Sequence, residues 1–299
     1  MPSRDPRRFR GEVPRDTLKY QRELTAAVLI PAVLAILIAA PTWAWALLVA
    51  AASSVALLEF YAILEAAGWV APKNAGLLLF LGILAAAYFA SLAALLALAA
   101  VTLLALPTLV MFSSPPEAIL LPSSAGSVFA TLYVAMGGAA MIGLRALGWK
   151  PVIFVLAIVW ASDSAAYYVG RRWGKRKLAP VVSPKKTWAG LFGQLGAGLV
   201  FGLGTNILLL GVSRSPQTPL TGKSAGLAIL AGAGMGLLVS GVAVVGDLVE
   251  STFKRSASVK DSGSLLPGHG GLLDRLDSLL YASPVVLLVL TLAPETVPR

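Results

Sequence analysis

From residue 24 to residue 293 the chain is built of apolar stretches of about twenty residues, broken by short polar segments. Twenty helical residues at 1.5 Å each cross the roughly 30 Å hydrocarbon layer of a bilayer. Inside that layer only helices and closed barrels satisfy their own backbone hydrogen bonds. The apolar runs are continuous and do not alternate, which argues against a barrel. Composition agrees. Hydrophobic residues make up 57 % and charged residues 13 %, whereas a soluble domain has roughly 25 % charged residues. Mean hydropathy is +0.81. The expected fold is all-α, a polytopic integral membrane protein of about nine transmembrane helices. It is read as a polar lead over 1–23 and a single membrane domain over 24–299.

The spans are expected over 24–40, 42–64, 128–147, 151–170, 187–211, 225–249 and 279–293, with two more inside 75–112 joined near Ser91. The Pro/Ser-rich segment 113–127 is expected to be a loop. With the N-terminus cytoplasmic, nineteen of the 24 Lys and Arg side chains fall on the cytoplasmic side, the bias of the positive-inside rule. The net charge of +10 is accounted for in this way, and no nucleic-acid partner is expected. The lack of cysteine excludes disulfides and Cys-ligated zinc. The same orientation puts every reactive-looking segment on one face of the membrane.

Three of these segments stand out. Asp163 lies inside an apolar run, and 171–186 then carries seven basic residues and no acid. The next run ends in Asp247, Glu250 and Ser251. Segment 251–278 holds seven charged side chains, four glycines and His269, the only histidine. If the helix continues past Val249, Asp247, Glu250, Ser251 and Lys254 share a face. A helix beginning near Leu272 would turn Asp274 and Asp277 to one side. Carboxylates at helix ends, without a His or Cys cluster, suit a hard cation such as Mg²⁺. Carboxylates among many cations suit a metal together with a polyphosphate. Ser183-Pro184-Lys185-Lys186-Thr187, a turn before a helix N-terminus, suits an anion. The plainer alternatives stay open at this point. Asp274 and Asp277 would pair with Arg275 or Lys residues or cap a helix, the basic run would bind headgroups, and His269 would be structural. Glu59, inside the second span, is costly unless it faces protein. Gly222-Lys223-Ser224 is no P-loop, because Gln217 stands where the first glycine is required.

The stretch S-x-F-K-R-x4-K-D-S-G-x-L-x-P-G-H-G-G-x-L-D-R-x-D-S, from Ser251 to Ser278, resembles the signature of the phosphatidate cytidylyltransferases (CDP-diacylglycerol synthases). Gly246-Asp247-Leu248-x-Glu250-Ser251 matches as well. So does the segment from Asp163 through Gly170-Arg171 and Gly174-Lys175 to Thr187. The detailed match covers 160–278. Ala189 departs from the pattern, which usually has Glu or Gln there.

The resemblance implies that CTP and phosphatidate give CDP-diacylglycerol and pyrophosphate, by in-line attack of the lipid phosphate on the α-phosphorus. It implies Asp247, Asp274, Asp277 and Lys260 as the catalytic group, and Asp247, Asp274 and Asp163 around the metal. Substrate contacts would come from Ser183, Lys185, Lys186, Thr187, Ser251, Lys254, Arg255, His269, Gly270 and Arg275. The implied cofactor is Mg²⁺, with K⁺ at a neighbouring site. A homodimer is an open option, and the implied location is a bacterial-type inner membrane with the site cytoplasmic. Two other readings compete. One is a CTP-using enzyme acting on an ether lipid or polyprenol. The other is a transporter, for which Glu59 is the clearest sign.

Overall fold

The computed structural model describes residues 15–113, 120–213, 223–263 and 270–292. Residues 1–14, 114–119, 214–222, 264–269 (with His269) and 293–299 lie outside the described residues. The elements are α1 (Arg15–Ala39), α2 (Thr42–Ala66), α3 (Lys73–Tyr88), α4 (Leu92–Ser113), α5 (Leu120–Ala146) and α6 (Trp149–Trp173). These are followed by β1 (Lys177–Ala179), β2 (Ser183–Thr187), α7 (Trp188–Ser213), α8 (Lys223–Ser256) and α9 (Leu273–Leu292). Among the described residues, α2, α4, α5, α6, α8 from Ile229 and α9 are six helices long and apolar enough to cross a membrane. Ala27–Ala39 and Lys73–Tyr88 are apolar but shorter. The fold is that of an all-α, multi-pass membrane protein.

Helix boundaries depart from the expected spans for local reasons. The long apolar run breaks where Ala90 takes φ +52° and Ser91 Oγ accepts from Ala94 N at 3.3 Å to cap α4. Helix α5 starts within the segment expected to be a loop, at Leu120. Pro122 sits in its first turn, where a missing N–H costs nothing. Segment 171–186, which lies between two expected spans, begins as the end of α6 and then forms an antiparallel hairpin that pairs Lys177 with Thr187. Helix α9 starts at Leu273, six residues before the apolar run that announced it.

Helices α6, α7, α8 and α9 pack in succession, and α5 packs against α2, α3, α4 and α9. Helix α9 therefore joins the two halves. Small residues set the closest crossings. A Cβ at Gly202 would lie 2.5 Å from Gly232 O, and one at Gly190 would lie 2.9 Å from Ala166 O. At Gly246 a Cβ would lie 2.8 Å from Asp277 O. The glycine next to Asp247 thus lets α8 approach α9 at the level of both carboxylates. Chain direction places the end of α2, the end of α6, the start of α7, the end of α8 and the start of α9 at one end of the bundle.

Candidate active site

The C-terminal turns of α8 carry Asp247, Glu250, Ser251 and Lys254 on one face, because the helix runs unbroken to Ser256. The first turns of α9 carry Asp274 and Asp277. Where the two helices meet, Asp247, Glu250 and Asp277 each offer a carboxylate oxygen within 4.8 Å of the others. Glu250 and Asp277 are buried. Glu250 Oε2 is 2.7 Å from Lys254 Nζ, while its Oε1 is buried without a hydrogen-bond partner. A buried carboxylate oxygen without a donor, beside two further carboxylates, is the arrangement a bound cation completes.

Lys254 Nζ also donates to Asp274 Oδ1 at 2.5 Å. Asp274 Oδ2 accepts from Ser262 N at 3.1 Å and from Gly271 N at 3.0 Å. Both oxygens of Asp274 are therefore engaged by protein donors. Asp163 accepts from Gln194 Nε2 at 3.1 Å. These two residues, expected beside Asp247 as metal ligands, stand outside the three-carboxylate group. Lys186 Nζ lies 2.8 Å from Asp247 Oδ2 without hydrogen-bond geometry, so the contact is Coulombic.

A polar cavity of about 750 Å³ gathers Asp163, Lys185, Lys186, Thr187, Asp247, Lys254, Asp274, Arg275 and Asp277 from the sequence-predicted set. Arg171, Lys177, Gln194, Glu250 and Asp261 line it too. Thr187 Oγ1 accepts from Gly190 N at 3.1 Å and caps α7. Ser251, Arg255, Ser183, Lys260 and Gly270 do not line the cavity. Ser251 Oγ donates to Asp247 Oδ1 at 3.3 Å. Arg255 Nε donates to Val182 O at 3.4 Å, which holds the hairpin tip against the end of α8. Ser183 opens β2, and Lys260 is exposed. Gly270 has φ +81°, a conformation that favours glycine, and a Cβ there would lie 3.0 Å from Asp274 Oδ2.

A second cavity of about 590 Å³ lies between α1, α2, α5, α6 and α9. Its walls are apolar, with Leu29, Val33, Trp45, Leu48, Met141 and Leu279 among them, and its polar end is formed by Asp163, Asp274, Arg275 and Asp277. Those four residues also line the first cavity. A charged chamber and an apolar chamber thus meet at one set of side chains. Residues 20–293 match the cytidylyltransferase family.

The chain belongs to this family.

Three similar relatives are phosphatidate cytidylyltransferases. That of Haemophilus influenzae is 44 % identical over 134 residues, 44 % of this chain and 43 % of the relative. That of Brucella suis is 39 % identical over 164 residues, 55 % of each. That of Pseudomonas aeruginosa is 42 % identical over 134 residues, 45 % of each. The aligned part spans about half the length of these relatives.

Sequence reasoning left three well-placed residues out of the site. Glu250 was signalled by its spacing of three from Asp247. Gln194 had no local signal, since its partner is on another helix. Glu59 was conspicuous as an acid in an apolar run, but nothing nearby indicated its partners. In the structure its carboxylate accepts from Ser262 Oγ, Leu272 N and Leu273 N.

Proposed function

We propose that the protein transfers a cytidylyl group from CTP to phosphatidate, forming CDP-diacylglycerol and pyrophosphate. The observation that carries this reading is the meeting of the two cavities at Asp163, Asp274, Arg275 and Asp277. A polyphosphate with its metal suits the chamber lined by both cations and carboxylates, and acyl chains suit the apolar one. The phosphate of the lipid and the α-phosphate of CTP then come together where the chambers join. The lipid phosphate oxygen attacks the α-phosphorus, a new P–O bond forms, and the bond to pyrophosphate breaks. No covalent intermediate on the protein is needed, so catalysis rests on positioning and charge neutralisation.

Lys185, Lys186, Lys177 and Arg171 face the polar chamber from the hairpin and the end of α6. They are assigned to the triphosphate. Arg275, common to both chambers, is assigned to the phosphates that react. His269 and Lys260 keep the roles that the family signature implies. Asp247, Glu250 and Asp277 would hold a Mg²⁺ ion, which suits an all-oxygen donor set. When bound, it would neutralise phosphate charge and favour departure of pyrophosphate. Asp274 fixes Lys254 and the backbone beside that group, and Asp163 orders the far wall through Gln194. K⁺ is carried over from the family resemblance alone. Nine crossings rest on the count of apolar stretches, a cytoplasmic site on the positive-inside distribution, and a bacterial-type inner membrane on the family resemblance.

The test is turnover by the purified protein in detergent micelles. CDP-diacylglycerol and pyrophosphate are expected in equal amounts, only when CTP, phosphatidate and Mg²⁺ are all present. EDTA is expected to stop turnover, and Asp247→Asn or Asp277→Asn to abolish it without unfolding the protein. Pyrophosphate release without phosphatidate, or preference for an ether lipid or a polyprenyl phosphate, would overturn the assignment.

A further inference from the structure

We propose that Glu59 is a positioning residue for this site, acting through the first turn of α9. Glu59 lies near the end of α2, more than 200 residues from its partners in sequence. Its Oε1 accepts from Leu272 N at 3.0 Å. Its Oε2 accepts from Leu273 N at 2.8 Å and from Ser262 Oγ at 3.1 Å. The amides that open a helix have no intrahelical acceptor, and a carboxylate there is also favoured by the helix dipole. Three donors, two of them such amides, offset the cost of an acid in an apolar helix.

The surrounding chain is shaped to admit this carboxylate. A Cβ at Gly263 would collide with Glu59 Oε1, and one at Gly271 would lie 2.6 Å from Glu59 Oε2. Ser262 and Gly271 are also the residues whose amides bind Asp274 Oδ2. Glu59 and Asp274 therefore hold the same two backbone segments together. One carboxylate comes from α2 and the other from α9 itself. The first two turns of α9 carry Asp274, Arg275 and Asp277. A shift of this helix start moves Asp277 relative to Asp247 and Glu250 across the interhelical gap. Glu59 contacts neither cavity, so its influence on the reaction passes through that placement.

The test uses Glu59→Gln and Ser262→Ala in the full chain, read by Mn²⁺ affinity from electron paramagnetic resonance, by kcat and KM for CTP, and by melting temperature. The kcat arm rests on the proposed cytidylyltransferase reading, whereas the Mn²⁺ arm does not. Glu59→Gln is expected to lower both kcat and Mn²⁺ affinity by about 10- to 100-fold with KM for CTP within about twofold, the scale of losing an outer-shell partner. Ser262→Ala, which leaves both backbone bonds to Glu59 in place, is expected to cost less. The double variant is expected to be no worse than Glu59→Gln. Values of kcat and Mn²⁺ affinity within about twofold of the parent in Glu59→Gln would overturn the proposal, as would losses no larger than the fall in folded fraction. If Glu59→Gln does not fold, an unchanged Ser262→Ala on both readouts overturns it equally. A parent that binds Mn²⁺ but shows no turnover sinks the reaction and leaves Glu59 to be judged by affinity. A parent that does neither sinks both.

Discussion

Lys254 Nζ donates to Asp274 Oδ1 at 2.5 Å, tying the last turns of α8 to the first turn of α9. The same ammonium group lies 2.7 Å from Glu250 Oε2. The Lys254 and Asp274 side chains are 13 % and 12 % exposed, and that of Glu250 is 1 % exposed. One cation therefore compensates two acids that are largely removed from water. Replacing it with Met would remove the cation from Glu250 and leave Asp274 with its two backbone amides alone. Removing one member of a buried pair costs about 3–5 kcal/mol. Lys254→Met is expected to lower the melting temperature in detergent markedly as well as to stop turnover. A variant that melts like the parent would show that the two acids find other partners.

Lys186 and Asp247 pair at 2.8 Å, but Asp247 is 39 % exposed, so solvent screens this contact. Stability is expected to change little in Lys186→Ala. Its assigned work is on a phosphate, and a hydrogen bond to a charged group is worth about 1.5–3 kcal/mol, roughly 10- to 100-fold in binding or rate. A fall in kcat/KM for CTP of that size, at an unchanged melting temperature, is the expected result. Steady-state kinetics over a CTP series checks it.

At Gly246, α8 lies close against α9. A methyl group there would sit 2.8 Å from Asp277 O and 2.9 Å from Tyr281 Cβ. Gly246→Ala is expected to push the helices apart at the level of Asp247 and Asp277. Overpacking of this kind costs about 1–3 kcal/mol. Activity is expected to fall further than stability, since the spacing of the carboxylates changes directly. Melting curves with and without Mg²⁺ report on both. The parent is expected to be stabilised by the ion through mass action, and the variant much less so.

A layer of aromatic rings supports this crossing. Phe253 on α8 lies 5.1 Å from Phe60 on α2 and 5.0 Å from Phe129 on α5, between ring centroids. Tyr133 Oη donates to Asp277 O at 3.3 Å. None of these aromatics stood out in the sequence, where an aromatic in an apolar run reads only as span.

The helical membrane architecture and the reactive stretches were legible in the sequence because their signals are local. Continuous apolar runs have few solutions in hydrocarbon, and helical spacing places Asp247, Glu250 and Lys254 on one face whatever surrounds them. The motif around Asp274 and Asp277 was equally visible. Which carboxylates come within reach of one another was decided by the tertiary structure. Asp277 joins Asp247 and Glu250 because a glycine lets two helices touch. Asp274 turns instead to Lys254 and two backbone amides. Glu59, inside the apolar run of α2, meets Leu273 some 214 residues away. Periodicity governs neighbours three or four positions apart, whereas contacts across helices depend on how whole faces pack, and only the folded chain brings those faces together.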